Sequence, residues 1–299
     1  MIAIERILCA VDFSDYSRHA LEYAVAMGAY YDARVTALHA FSIAPMVTTA
    51  PFGLESMQAI GLQDVDREAV EAAARRFVAQ VPAAAPPDVR VTEGLRVADD
   101  VLTQADRQNA DLLVVGSHGR SGFERMLIGS TADRILRTSS RPVLVVPPHA
   151  SAPAMPFRRI LCPVDFSDSS VRALEYAVQL AEETDGRLTL LHAIELPPEL
   201  HEFLPISLDV SSVRSGAEAA ARTRLEALVP EGASTYCTID TRVAEGKAHR
   251  EILAVAAQIG ADLIVMGVHG RGAVDVAVFG SNTQSVVRGA ACPVLTVRT

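Results

Sequence analysis

The chain has 299 residues, a formal net charge of −9, 49% apolar and 21% charged residues, and four cysteines. At roughly 150 residues per domain this length suits two units, each long enough to bury its own core. The composition excludes a disordered chain, the acidic balance without any Lys/Arg run argues against a nucleic-acid partner, and the sparse cysteines exclude a disulfide framework.

Residues 4–11 form an apolar run that reads as a strand, and Ser14 with Asp15 supplies capping side chains for a helix over 14–31. Residues 34–41 read as the second strand and 89–92 as the third, with a helical period over 64–81 between them. A helix over 97–109 then leads to a fourth strand at 111–116, and a helix over 130–138 to a fifth at 142–146. Leu112-Leu-Val-Val115 and Val143-Leu-Val-Val146 are unbroken apolar runs, as expected of parallel strands covered on both faces.

The pattern then starts again. Ile7-Leu-Cys-Ala-Val-Asp-Phe-Ser-Asp15 returns as Ile160-Leu-Cys-Pro-Val-Asp-Phe-Ser-Asp168, and His39-Ala40 returns as His192-Ala193. Later landmarks such as Pro142-Val143-Leu144 and Pro293-Val294-Leu295 keep step two residues closer together, so the second copy has lost two loop residues. A Pro/Ala/Ser-rich connector over 147–154 separates the copies, which places domains at 1–148 and 155–299. The fold class expected is α/β: two tandem Rossmann-like domains, each a five-stranded parallel sheet with helices on both faces. In such sheets a ligand binds beyond the carboxyl ends of the strands at the switch point, here the ends of strands one, two and four.

Strand four runs into Gly116-Ser117-His118-Gly119, then nine residues, then Gly129-Ser130-Thr131. The second copy has Gly267-Val-His269-Gly270, nine residues, then Gly280-Ser281-Asn282. Glycines there would allow positive φ and let backbone N–H groups reach phosphate oxygens, while the Gly-Ser pair starts a helix whose first turn favours an anion. Arg120 and Arg271 are among the few cations near these loops, so phosphate would be held mainly by backbone, with a divalent metal such as Mg2+ or Mn2+ sharing the charge. Asp12 and Asp165 end strand one, where a carboxylate can accept from ribose hydroxyls or complement a helix N-terminus. His39 and His192 read as structural, and His118 and His269 either as ligand contacts or as loop filler.

Cys9, Cys162, Cys237 and Cys292 form no C-x-x-C pair and read as buried small hydrophobes rather than zinc ligands. P-loop, G-x-G-x-x-G, kinase, G-x-S-x-G and H-E-x-x-H signatures are all missing. The first residues lack signal-peptide zoning and no run of about 18 uncharged apolar residues exists, so a cytoplasmic protein without a membrane partner is expected.

At these residues the sequence resembles the universal stress protein family, whose nucleotide-binding members carry G-x2-G-x9-G-[ST]; both copies match that pattern, and the likeness covers the chain twice. The resemblance implies an adenine nucleotide alpha hydrolase-like fold binding ATP. It implies that Asp12 and Asp165 hold ribose, and that main-chain groups at Ala10-Val11, Ala40, Pro163-Val164 and Ala193 meet adenine. Gly116, Gly119, Gly129 and Ser130, with Gly267, Gly270, Gly280 and Ser281, would then hold ribose and phosphates. Asn282 departs from the small or β-branched residue common after Gly-Ser, where it would either crowd the phosphates or donate to them. The resemblance further implies pairing through the last strands, an intramolecular pseudo-dimer that could dimerise again. Three functions are compatible: a regulatory stress-response protein that turns ATP over slowly or not at all, a metal-dependent ATPase or nucleotidyl-transfer enzyme, and an interaction module with vacant sites.

Overall fold

The computed structural model describes residues 4–42, 67–119, 128–196, 210–268 and 280–298. They fall into two compact units, one carrying residues 4–148 and the other 156–298.

In the N-terminal unit the elements run β1 (Arg6–Ala10), α1 (Asp15–Tyr31), β2 (Arg34–Ser42), α2 (Arg67–Val78), β3 (Asp88–Gly94), α3 (Val97–Arg107), β4 (Leu112–Gly116), α4 (Ser130–Thr138) and β5 (Val143–Val146). The strands are parallel in the order β3-β2-β1-β4-β5, so the chain moves outward from β1 to β3 and then crosses to the other side of β1. That reversal puts the switch point between β1 and β4. Helices cover both faces, which is why Ile7, Leu8 and Cys9 and the whole run Leu112–Val115 are buried with no polar alternation. Each such aliphatic side chain contributes about 1.5–3 kcal/mol by leaving water.

The C-terminal unit repeats the order with β6 (Arg159–Pro163), α5 (Asp168–Thr184), β7 (Arg187–Ile194), α6 (Val210–Glu226), a 3-10 turn (Ala233–Thr235), β8 (Thr238–Glu245), α7 (Ala248–Ile259), β9 (Leu263–Gly267), α8 (Ser281–Gly289) and β10 (Val294–Val297). Its strands are parallel in the order β10-β9-β6-β7-β8. The five strands and four helices expected of each copy are therefore present.

Helix starts differ from expectation in one detail. Ser14 and Ser167 alone are the N-caps, accepting from Ser17 N at 3.2 Å and Ser170 N at 3.3 Å. Asp15 and Asp168 occupy the first helical position instead, where a carboxylate favours the helix dipole, and Asp15 pairs with Arg18. All four cysteines are free and buried. Burial pushes the Cys9 and Cys162 thiols well up and that of Cys292 up to about 12, so they behave as small apolar side chains. No helix among the described residues is long and apolar enough to cross a membrane.

Candidate functional site

The turn after β1 is built around a residue in an unusual conformation. Phe13 has φ 65°, in the left-handed region that a bulky side chain avoids at a cost of about 1–3 kcal/mol. Its ring stacks on His39 with centroids 4.1 Å apart and meets Phe77 at 5.5 Å, contacts that offset the strain. The His39 Nδ1–H donates to the Val11 carbonyl at 2.8 Å, and Val11 N donates to Leu38 O at 2.9 Å. His39 is thus structural, as its place at a strand end suggested. Both main-chain groups of Val11 are engaged, the amide by Leu38 and the carbonyl by His39.

Asp12 follows directly. Its Oδ1 accepts from Ser14 N at 3.1 Å and Ser14 Oγ at 2.5 Å, and its own amide donates to Ser17 Oγ at 3.2 Å. The carboxylate is therefore fixed in orientation by the start of α1, with one oxygen committed to the turn.

The glycines after β4 serve three different purposes, and none among Gly116, Gly119, Gly129, Gly267 and Gly280 has positive φ, contrary to expectation. A Cβ at Gly116 would meet the Tyr16 carbonyl carbon and oxygen at 3.2 and 3.1 Å, so this glycine lets β4 pass close to α1. A Cβ at Gly119 would lie 2.8 Å from Asp12 Oδ2. Gly129 caps α4 with φ −54°, and its amide donates to Ser117 O at 2.9 Å instead of facing a ligand. Ser117 is 1% exposed, with its hydroxyl 2.9 Å from His118 Nδ1. Its side chain belongs to the loop's interior, and it is not among the residues lining the cleft described below.

The first intrahelical bond of α4 is Asp133 N to Gly129 O, 2.8 Å. The amides of Ser130, Thr131 and Ala132 therefore have no acceptor within the helix and mark its positive end. These residues line a cleft together with Ala10, Val11, Asp12, Ser17, Ala40, Gly116, His118, Gly119 and Gly129. Its cavity volume is about 160 Å³, below the usual range of roughly 300–1,000 Å³ for a small-molecule site. Leu38, Val97, Val101 and Val115 complete the wall. These four, with Ser17 and Ala132, were not anticipated: at helix or strand spacing an apolar lining residue looks like any core residue. Phe13 was also missed, although its recurrence as Phe166 in the repeat was a usable signal.

Across one wall, Arg134 on α4 holds Asp99 on α3 through two bonds of 2.6 and 3.0 Å, and this guanidinium lowers the Asp99 carboxyl below its ordinary range. No group of three or more His, Cys, Asp or Glu among the described residues could hold a metal. Asp12 is the single carboxylate among the residues lining the cleft.

The C-terminal unit repeats the turn. Phe166 has φ 64°, Asp165 Oδ1 accepts from Ser167 N at 3.0 Å and Oγ at 2.5 Å, and His192 Nδ1–H donates to Val164 O at 2.7 Å. Pro163 ends β6 beside Val164, whose amide donates to Leu191 O at 2.8 Å, and Ala193 pairs with Ala244 in the sheet. Arg224 lies 3.9 Å over the Phe166 ring, a cation–π contact where the first copy uses Phe77. A Cβ at Gly267 would meet the Ser169 backbone at 2.7 and 2.8 Å. Gly280 caps α8 ahead of Ser281 and donates to Val268 O at 3.0 Å, while the Thr283 hydroxyl donates to Gly267 O at 3.0 Å. Asn282 Oδ1 lies 3.4 Å from His249 Nδ1 on α7. Arg120, His269, Gly270 and Arg271 lie outside the described residues.

A doubly wound parallel sheet with its cleft at the switch point defines the Rossmann-like class of α/β proteins. The universal stress protein family matches residues 3–147 and again 156–298. The chain belongs to that family. A universal stress protein of Mycolicibacterium smegmatis is 28% identical over 98% of this chain and 96% of its own length. One of Thermus aquaticus is 36% identical over 48% of this chain and 99% of its own. Among solved structures, a universal stress protein from Archaeoglobus fulgidus shares the fold with TM-score 0.59 at 22% identity, covering 98% of both chains.

Proposed function

We propose that the N-terminal cleft binds ATP and that the chain is a regulatory universal stress protein that hydrolyses it slowly or not at all. One observation carries the reading: the amides of Ser130, Thr131 and Ala132 open the same cleft that Asp12 and Ala40 line. A helix start that favours an anion and a hydroxyl-accepting carboxylate line one cavity, the polarity a nucleoside phosphate requires. Phosphates would rest on the α4 amides with Ser130 and Thr131 side chains, ribose on Asp12, and adenine against Ala40, Val11 and the apolar wall of Leu38 and Val101.

With one lining carboxylate, Mg2+ or Mn2+ would be held chiefly by phosphate oxygens, and its part would be to neutralise their charge. Slow turnover is the expectation because Asp12 is the one carboxylate lining the cleft and is assigned to the ribose. The C-terminal cleft is proposed to act likewise through Asp165, Ala193, Gly280 and Ser281, as a second site per chain.

Calorimetric titration of nucleotide-stripped protein with ATP and Mg2+ tests the reading. Saturable binding, weakened by GTP competition far less than by ADP, is the expected result; absence of binding overturns it. Metal-dependent turnover well above background, abolished by Asp12→Ala, would move the protein to the ATPase class instead.

A further inference from the structure

A second polar hollow, of about 240 Å³, lies at the opposite, amino ends of the N-terminal strands. Arg6, Arg34 and Asp88 begin β1, β2 and β3, and the strand register sets Asp88 beside Thr36 and Arg90 beside Leu38. Residues 34, 36 and 38 alternate onto one face of the sheet, so Arg34, Thr36, Asp88 and Arg90 open on one side, where the last turn of α3 adds Arg107 and then Gln108. Arg6 is engaged by Asp111 and Glu5 at 3.5 Å each. Arg34, Arg90 and Arg107 have no ion pair among the described residues, and Asp88 is the one carboxylate lining the hollow with them. The Gln108 Nε2 is buried without an acceptor among the described residues. Three guanidinium groups without an ion pair around one carboxylate leave the hollow electropositive, which favours an anion.

The C-terminal copy shows the same positions balanced. Thr189 pairs with Asp240 and Leu191 with Arg242 in β7 and β8, matching Thr36–Asp88 and Leu38–Arg90. There Arg187 reaches Asp240 at 3.9 Å, and Arg242 donates to Gln258 Oε1 at 3.0 Å. Gln258 stands where the first copy has Arg107, at the same turn of its helix. One copy thus satisfies its arginines internally, and the other adds a cation and leaves them open.

We propose that this hollow is an anion site of the N-terminal domain for a small free phosphate-bearing anion. Arg34, Arg90 and Arg107 supply the charge-assisted donors. The site is independent of the ATP reading, since it lies at the other end of the strands.

Pyrophosphate and inorganic phosphate are titrated into Gly119→Val/Gly270→Val protein, substituted in both proposed nucleotide cradles, with and without Arg90→Ser and Arg107→Gln. Thermal melts check that each variant is folded, and ATP titration of the arginine variants in the otherwise native chain checks the cleft. The expected result is saturable binding of pyrophosphate at one equivalent per chain, tighter than phosphate. Each arginine change should weaken it roughly tenfold, with ATP affinity unchanged. No saturable binding, two equivalents per chain, or binding weakened less than about threefold in the Arg90→Ser/Arg107→Gln double variant would overturn the proposal.

Discussion

Gly119 and Asp12 occupy adjoining space at the floor of the cleft: a Cβ on the glycine would stand 2.8 Å from Asp12 Oδ2. The carboxylate cannot swing aside freely, because Oδ1 is held by both the amide and the hydroxyl of Ser14. A side chain at position 119 must therefore displace the one carboxylate lining the cleft or fill the space a ligand would use. Gly119→Val is expected to weaken ATP binding by at least about tenfold, which is about 1.4 kcal/mol, while leaving the melting temperature nearly unchanged. Calorimetry beside a thermal melt separates the two effects; undiminished affinity would count against the proposed cleft.

Gly116→Ala and Gly267→Ala should behave in the opposite way. Their added Cβ atoms meet backbone of the α1 and α5 first turns, at 3.1 Å from Tyr16 O and 2.7 Å from the Ser169 carbonyl carbon. Backbone yields less than a side-chain tip, so overpacking of about 1–3 kcal/mol is expected, larger for Gly267→Ala. Gly129→Ala meets only ordinary contacts at 3.6 Å and should lose about 1 kcal/mol or less, chiefly from a poorer N-cap. Urea unfolding of the three variants reads the order directly.

Asp12→Asn and Ser14→Ala divide binding from stability at the first turn. The asparagine keeps an oxygen to accept from Ser14 but loses its charge, so affinity for ATP should fall several-fold with little change in unfolding free energy. Ser14→Ala removes the cap of α1 and should cost about 1 kcal/mol of stability. A variant pair in which both changes act only on stability would argue that Asp12 serves the helix alone.

Asp99 supplies a pH test. Its carboxyl is held below the ordinary range by the hydrogen bond from Arg134 and by that residue's charge. A depressed folded-state pKa means the contact contributes above the unfolded value and is lost as pH falls through the folded one. Both groups are exposed, so the stability effect is strongly screened. NMR titration should find Asp99 titrating below other exposed aspartates, and Arg134→Gln should return it to the ordinary range.

The thiols make a simple check on core packing. With Cys9 and Cys162 fully buried and their thiols pushed far up, native protein should react negligibly with a thiol reagent at pH 8. All four should react once the chain is unfolded in urea. Fast reaction of Cys9 in native protein would contradict its position inside β1.

The fold was legible for particular reasons. Leu112-Leu-Val-Val115 could hardly be other than a strand covered on both sides, and the return of Val-Asp-Phe-Ser-Asp made every landmark countable twice. The glycine loop was legible as a feature but not in its parts. Spacing alone does not distinguish Gly116, which accommodates the Tyr16 backbone, from Gly119, which accommodates the Asp12 carboxylate, or from Gly129, which starts a helix. Ser117 sits between two of them and turns inward, since its hydroxyl has a closer partner in His118. The strain at Phe13 was hidden because a left-handed aromatic is stabilised by rings of β2 and α2, residues distant in sequence.

What the amino-acid sequence determined by itself was the duplicated βα register, the parallel sheets and the Gly-Ser helix starts. All three arise from local periodicity, capping chemistry and repetition, and those are written along the chain. Tertiary structure decided which atoms face the cleft, which glycine makes room for what, and where arginines stay unbalanced. Such outcomes depend on the distance between residues brought together only by strand crossing, as Asp12 meets Gly119 and Arg34 shares a hollow with Arg107.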